Sequence, residues 1–258
     1  MSPDDKIIRY IDSPPSEGSF NMACDYYLAE SIMADSDYIL RLYTWKRPAI
    51  SLGYHQKLSD VDIEKCRKEG VDIVRRPTGG RAILHHQEST YCFIAPITAE
   101  SGKAHLKSIY RSVHNALSKA LNDMGFPVKF AEDNRIRQKH NPLCFASSAG
   151  AELELGGKKI VGSAQRLLDK AVLQHGSILT GPGHLRLPQY LNLSDDEREK
   201  MCGDLQEKST YIDIEDNPAF RCKIAESFGR EFGGKVVDSR LSAKEISKIE
   251  NNYNFQLI

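Results

Sequence analysis

Apolar positions along this chain repeat with two different periods. Short runs rich in β-forming residues mark IIRYID (7–12), YILRLYTW (38–45), AISLGY (49–54) and AVLQHGSIL (171–179) as strands, and alternation of period two appears in a hairpin further on. Period 3.6 is clearest over 103–124, where Leu106, Ile109, Val113, Leu117, Leu121 and Met124 recur at spacings of three and four. Gly125 is the expected cap of that helix, and Pro127 forbids its continuation. An earlier helix is expected from Gly18-Ser19 to about Met33. Another is expected to be capped by Ser59, to run through Val61, Ile63 and Cys66, and to end at Gly70. AELEL-GG-KKIVGSAQ alternates around two glycines, which predicts a β-hairpin. From about Ser194 onward the pattern is mainly helical, including 218–231 and a last helix opened by the capping box Ser242 to Glu245.

Strands and helices thus alternate irregularly, and hairpins join several strands. That predicts a mixed α+β architecture, not a doubly wound parallel sheet. Composition narrows the field further. Hydrophobic residues make up 40% of 258, enough for a real core. Lys plus Arg and Asp plus Glu are 35 each, so no overall field draws the chain to nucleic acid or a membrane surface. No apolar run approaches the ~20 residues that span a bilayer, and the polar, acidic start MSPDDKIIRY is unlike a signal peptide. The six cysteines are dispersed without a CxxC pair, so neither a metal site nor a disulfide framework is expected. A reduced, cytoplasmic protein is the simplest expectation.

The densest chemistry lies in RRPTGGRAILHH (75–86). A hydrophobic run (Val71, Ile73, Val74) precedes it and a strand-like run (90–94) follows. Glycine lacks the Cβ that keeps a ligand from the backbone, and the arginines add fixed charge beside it. The residues alone fit two readings: a ligand-side loop, or a turn whose arginines are solvated. Two further features are equally open. Cys144, in NPLCFASSAGAEL, is either a reactive thiol or a space-filler beside Leu143 and Phe145. If Gly156-Gly157 form a two-residue turn, Lys159 lies across from Glu154 as a cross-strand ion pair. Lys158 then points to the other strand face.

Taken in order, these segments resemble the lipoate–protein ligase and octanoyltransferase family. SFNMACDYYLAE (19–30) is similar to its first helix, LRLYTWKRPAISLGYHQ (40–56) to its Tyr-x-Trp strands and Ser-Leu-Gly turn, and 75–86 to its signature loop. GGKKIVGSAQR (156–166) resembles its lysine strand and QHGSIL (174–179) its His-Gly strand. The resemblance covers roughly 6 to 180. It implies a mixed, largely antiparallel sheet flanked by helices, a biotin/lipoate ligase-like catalytic domain. It implies one domain over 1–258, since only about 80 residues follow QHGSIL and larger ligases add a further domain.

The resemblance also implies roles. A cysteine followed by phenylalanine ahead of the lysine strand is a mark of the transferase branch, which makes Cys144 the acyl-accepting nucleophile. Lys159 matches the family lysine and would hold the acyl carbonyl or move a proton; Arg76, Gly79, Gly80, Arg81 and His85 would bind substrate. An arginine at position 81, where the ATP-dependent ligases have a third glycine, points to the same branch as Cys144. His86 departs from the family aspartate and receives no role; His175 is either a supporting group or a satisfied strand histidine. The implied activity moves an octanoyl group from acyl carrier protein, through a Cys144 thioester, to a lysine of a lipoyl-accepting domain. That acceptor would be the glycine cleavage H protein or a 2-oxoacid dehydrogenase E2 component. No cofactor and no metal is needed. The basic run NRIRQKH (134–140) would dock an acidic carrier. Two alternatives stay open: an ATP-dependent lipoate–protein ligase, and an amidotransferase moving the group between lipoyl domains.

Overall fold

A computed structural model describes residues 6–33, 37–97, 103–131 and 152–255. Cys144 and the whole of 134–140 lie outside the described residues. The main sheet has eight strands: β1 (Ile7–Asp12), β2 (Tyr38–Tyr43), β6 (Glu88–Pro96), β7 (Lys129–Phe130), β8 (Leu153–Leu155), β9 (Lys158–Leu167), β10 (Ala171–Leu179) and β11 (Lys235–Ser239), in the spatial order β11-β1-β2-β6-β10-β9-β8-β7. β11, β1 and β2 run parallel to one another, and from β2 across to β7 each neighbour is antiparallel. A separate three-stranded sheet holds β4 (Asp72–Arg75), β3 (Ala49–Leu52) and β5 (Ile83–His85). The expected mixed, mainly antiparallel α+β fold is what forms.

Among the described residues six α-helices cover the sheets: α1 (Gly18–Ser31), α2 (Ile63–Glu69), α3 (Lys103–Asp123), α4 (Asp195–Lys208), α5 (Pro218–Phe232) and α6 (Ala243–Asn252). The apolar stripe of α3 does what its spacing predicts. Ile109, Val113, Leu117 and Leu121 are buried with Tyr91, Phe93 and the α5 residues Ile224 and Phe228 in one core. On the opposite face of the main sheet α1 packs Met22, Cys24 and Leu28 against Ile39, Ile94 and Leu173. A third core, with Ile50, Ile73 and Leu84, joins the small sheet to α2, α4 and a 3₁₀ stretch over Pro182–Tyr190.

Several expectations are corrected. α2 is capped by Asp62, whose side chain accepts from the Lys65 N–H, while Ser59 falls in a separate 3₁₀ turn over Leu58–Asp60. The Asp62 carboxylate also suits the positive end of the helix better than a hydroxyl does. β2 and β3, adjacent in sequence, lie in different sheets, because the bend around Pro48 turns the chain out of the main sheet. β11 interrupts the helical C-terminal region; only a two-residue apolar run marks it, and it forms because the edge of β1 is there to pair with. The 156–157 hairpin is as expected. Both glycines hold positive φ (58° and 78°), the backbone of a tight type I′ turn that side-chained residues resist.

The α3 face of the sheet carries one polar chain inside the apolar core. Gln174 donates to the Tyr91 hydroxyl at 3.2 Å, Tyr91 reaches Ser163 Oγ at 2.6 Å, and Ser163 meets His114 Nε2 at 3.0 Å. His114 Nδ1 faces the Tyr110 carbonyl at 2.8 Å. A carbonyl only accepts, so Nδ1 carries the proton, Nε2 accepts from Ser163, and Tyr91 donates to Ser163. The ring is neutral. Burial, with the Lys159 charge nearby and only partly offset by Tyr110, lowers His114 to about 4.

A buried neutral histidine makes stability depend on pH. The unfolded chain takes up a proton from the ordinary value near 6.5 downward, whereas the folded chain does not until about 4. Stability therefore falls as pH drops through that window, by up to about 1.4 kcal/mol per pH unit from this one group. Urea midpoints measured from pH 7.5 to 4 should show that fall, and His114→Gln, though less stable at pH 7.5, should show a shallower one. A slope unchanged by His114→Gln would assign the acid sensitivity elsewhere.

Candidate active site

The Arg-Arg-Pro-Thr-Gly-Gly-Arg segment connects β4 to β5, and its shape is set from within. Arg76 is buried and donates to the carbonyls of Ser51 (2.8 Å), Gly79 (2.9 and 3.1 Å) and Arg81 (2.6 Å), and to Ser51 Oγ at 3.1 Å. Arg75 does the same for the preceding turn, donating to the carbonyls of Gly53, Tyr54 and Gln56. The two turns touch: a Cβ on Gly53 would sit 2.0 Å from the Gly80 carbonyl oxygen, and Gly80 itself holds φ +93°. Both glycines are therefore demanded by packing. Gly79 and Gly80 are exposed at the tip and Arg81 is half-buried. The Arg81 side chain makes no hydrogen bond or ion pair with the described residues.

Behind this loop runs a narrow crevice between the two sheets. It is lined by Met22 of α1, Arg76, Ile83, His85, Gly162, Ala164 and Gly176, among others. Its free volume is about 20 Å³, room for a single water. One wall is polar and linked by hydrogen bonds from Arg76 to Glu88. Arg76 donates to Ser51, Ser51 Oγ lies 2.8 Å from His85 Nε2, and His85 Nδ1 lies 3.2 Å from Glu88 Oε1. The carboxylate only accepts, so His85 carries its proton on Nδ1 and accepts from Ser51 through Nε2. Burial lowers His85, against the opposing pull of Glu88. Trp45 stacks on the ring at 4.0 Å.

His175 holds the other wall. Its Nδ1 donates to Asp25 Oδ2 at 3.1 Å and its Nε2 accepts from the Thr78 hydroxyl at 2.7 Å. Asp25 is fully buried and also receives Arg41 Nη1 at 2.7 Å and the Tyr43 hydroxyl at 2.8 Å. Burial alone would raise the Asp25 carboxyl, but His175, Arg41 and Tyr43 outweigh it and hold it below its ordinary value. His175 is thus hydrogen-bonded at both ring nitrogens, to α1 on one side and to the glycine loop on the other, which fits either reading of it.

The proposed lysine stands apart from this crevice. Alternation along β9 puts Lys159 with Val161 and Ser163 on the α3 face, while Gly162 and Ala164 face the crevice. Lys159 is 4% exposed and pairs with Glu152 Oε1 at 2.5 Å. The register is the expected one, Glu154 opposite Lys159, yet the ion pair goes to Glu152. Lys158, on the other face, donates to the Gln206 carbonyl. Thus Arg76 and His85 come together, Gly79, Gly80 and Arg81 form the rim, and Lys159 lies one sheet face away. Sequence reasoning missed Asp25, Arg41, Ser51 and Thr78. The available signal was a charged residue inside each apolar element, Asp25 in MACDYYLA and Arg41 in YILRLY.

Cys24, Cys66 and Cys92 are buried in α1, α2 and β6 as expected, and burial pushes their thiols up, the first two to about 11. Such thiols are poor nucleophiles. No helix among the described residues is long and apolar enough to cross a membrane.

Residues 17–225 match the lipoyl protein ligase A/B catalytic domain. The chain belongs to that family. Two relatives called Octanoyltransferase LipM, from Carboxydothermus hydrogenoformans and Staphylococcus aureus, are 33% and 31% identical to it. The matches cover 92% and 94% of this chain and 91% of each relative. Among solved structures, a bi-partite lipoate protein ligase from Thermoplasma acidophilum, described with its E2 lipoyl domain, superimposes with a TM-score of 0.77. It is 18% identical, covering 96% of this chain and 91% of that one. A lipoate-protein ligase A bound with ATP gives 0.73 at 20% identity, covering 95% and 93%. At such identities the likeness is one of fold, and the lipoyl ligase catalytic domain is the fold all three share.

In this member of the lipoyl ligase family, the Arg41–Asp25 pair ties α1 to the sheet in the absence of water. Arg41→Met should leave the Asp25 carboxylate buried without its cation and cost about 3–5 kcal/mol in urea unfolding. The double change Arg41→Met/Asp25→Leu should recover part of that loss. A cost below about 1 kcal/mol for the single change would mean water reaches the pair.

Proposed function

We propose that this protein transfers an octanoyl group from a carrier thioester to a lysine of a lipoyl-accepting protein. The observation that carries the reading is the likeness to octanoyltransferases over nine-tenths of both chains. The crevice supports it. Its apolar wall of Met22, Ile83, Ala164 and two glycines suits an acyl chain, and its present volume requires it to open for one. The ATP-bound neighbour shares the fold at 20% identity and lends no weight to a nucleotide-dependent reaction.

The proposed course has two acyl transfers. The Cys144 thiolate attacks the carbonyl of the octanoyl thioester; the carrier thiolate leaves and takes up a proton. The acceptor lysine, as a neutral amine, then attacks the Cys144 thioester. An amide forms, the Cys144 thiolate is released, and the amine loses its proton. The first step exchanges like for like and the second runs downhill, so no nucleotide is needed. Lys159 is assigned to hold the acyl carbonyl or move the proton, with Glu152 keeping the side chain ordered. Arg76, Gly79, Gly80, Arg81 and His85 are assigned to the acyl and carrier side. An acyl carrier protein is the proposed donor, met by the basic run at 134–140.

Purified protein, octanoyl-carrier protein and an apo lipoyl domain should give octanoyl-lysine without ATP or magnesium. Without acceptor, Cys144 should carry a hydroxylamine-labile adduct, visible by mass spectrometry and absent in Cys144→Ala. Efficient, strictly ATP-dependent ligation of free lipoate that survives Cys144→Ser would overturn the reading.

The lysines separate by strand face. Lys159→Met should lower transfer on the order of 10²- to 10⁴-fold, the range for losing a positioned acid–base group. Lys158→Met should do far less. Equal effects would mean that neither lysine takes part in the chemistry.

A further inference from the structure

Ser51 and Glu88 have no task in the transfer course above, yet they bracket His85 at the edge of the crevice. Ser51 Oγ donates to His85 Nε2 at 2.8 Å, and His85 Nδ1 donates to Glu88 Oε1 at 3.2 Å. The serine comes from β3, the histidine from β5 and the glutamate from the start of β6. All three are buried, and Ser51 and His85 line the crevice. A hydroxyl on Nε2 and a carboxylate on Nδ1–H is the order of a nucleophile, a general base and the group that orients the base. The tautomer is the one that order requires, since Nε2 carries no proton of its own and can take one from the hydroxyl.

The surroundings hold the ring in that state. Trp45 stacks on it at 4.0 Å and donates through Nε1 to Thr90 Oγ1 at 2.9 Å, and Thr90 donates to Glu88 Oε1 at 2.5 Å. His85 Nδ1 also lies 3.3 Å from Ser177 Oγ, but the carboxylate is the stronger acceptor of the two. Glu88 Oε2 is buried without a partner among the described residues, so the carboxylate keeps capacity to stabilise a ring that gains a proton. Burial lowers His85 below its ordinary value, which leaves an unprotonated base at neutral pH. Arg76 Nη1 donates to Ser51 Oγ at 3.1 Å and puts a fixed cation beside the oxygen where negative charge would develop. On the far side of the ring, Trp45 and Glu88 line a second, open cleft of about 620 Å³. The carboxylate end of the array faces that space, and the serine end faces the crevice.

We propose that Ser51, His85 and Glu88 form a catalytic triad that hydrolyses medium-chain acyl esters and thioesters held in the crevice, the acyl class being the one point that rests on the octanoyl-transfer reading. Ser51 Oγ attacks the acyl carbonyl as its proton passes to His85 Nε2. The bond from the carbonyl carbon to the donor's sulfur or oxygen breaks, and the leaving group takes that proton from His85. A water then attacks the Ser51 ester and gives a proton to His85. The ester bond breaks, Ser51 Oγ regains the proton, and a free fatty acid leaves. Like the transfer reaction, this course needs the crevice to open, since its present volume holds a single water.

The full chain carrying Cys144→Ala separates this activity from thiol chemistry. With p-nitrophenyl octanoate, and with no carrier, acceptor or nucleotide, it should release nitrophenolate over many turnovers. An octyl fluorophosphonate should stop the release with one adduct, mapped to Ser51 by peptide mass spectrometry. Ser51→Ala should lower turnover about 100-fold or more, and Glu88→Gln should slow both turnover and labelling on the order of 10²-fold. The label reads Ser51 in an otherwise unchanged crevice, so it decides the matter even where a variant at a buried position folds poorly. Failure to turn over the ester, an adduct anywhere but on Ser51, or undiminished turnover in Ser51→Ala would overturn the proposal. Neither carrier nor acceptor enters the experiment, so its failure leaves octanoyl transfer through Cys144 where it stood, and failure of that transfer leaves the triad where it stood.

Discussion

One buried carboxylate ties four parts of this fold together. Asp25, fully out of water on α1, receives Arg41 and Tyr43 from β2 and His175 from β10. His175 in turn takes the hydroxyl of Thr78, from the loop that carries the two exposed glycines. An unpaired carboxylate in that position costs several kcal/mol, so the four elements hold one mutual arrangement or lose it together. The position of the glycine loop against the main sheet is a consequence of that constraint.

The loop's own shape depends on arginine in the same way. Arg76 spends its donors on three carbonyls and one hydroxyl of its own neighbourhood. Planar guanidinium geometry suits that task, because one side chain can satisfy several backbone oxygens that no secondary structure pairs. The charge is thereby placed beside the crevice as a fixed field with no rotamer freedom. Arg81, half-buried, has no side-chain partner among the described residues.

His85 links two spaces that would otherwise be unrelated. Ser51 and Arg76 approach it from the crevice side, and Glu88 with Trp45 from the open cleft. The direction of hydrogen bonding is fixed at both ends, by guanidinium at one and carboxylate at the other. A change at Glu88 therefore reaches the crevice through a single histidine ring. The lysine on β9 is outside that chain; its surroundings are the α3 face, where Glu152, and not the cross-strand Glu154, gives it a counter-ion.

By itself the sequence determined whatever depends on local spacing. The helix of 103–123, the Gly-Gly hairpin, the strands 7–12 and 171–179 and the α+β class all follow from apolar periods and from backbone conformations only glycine takes easily. The ordered motifs were enough to reveal the family. What the tertiary structure alone decided was partnership. Nothing in the spacing of Asp25, Arg41 and His175 says that they meet, since the contacts span 16 and 150 residues of chain. Likewise the residues at 75–86 carry no mark that Arg76 would serve its own loop while Arg81 finds no side-chain partner among the described residues. The short edge strand Lys235–Ser239 exists only because β1 offers an unpaired edge. Local propensity is written in the order of residues; which buried charge finds which counter-charge is fixed by packing, where the cost of leaving one alone selects the arrangement.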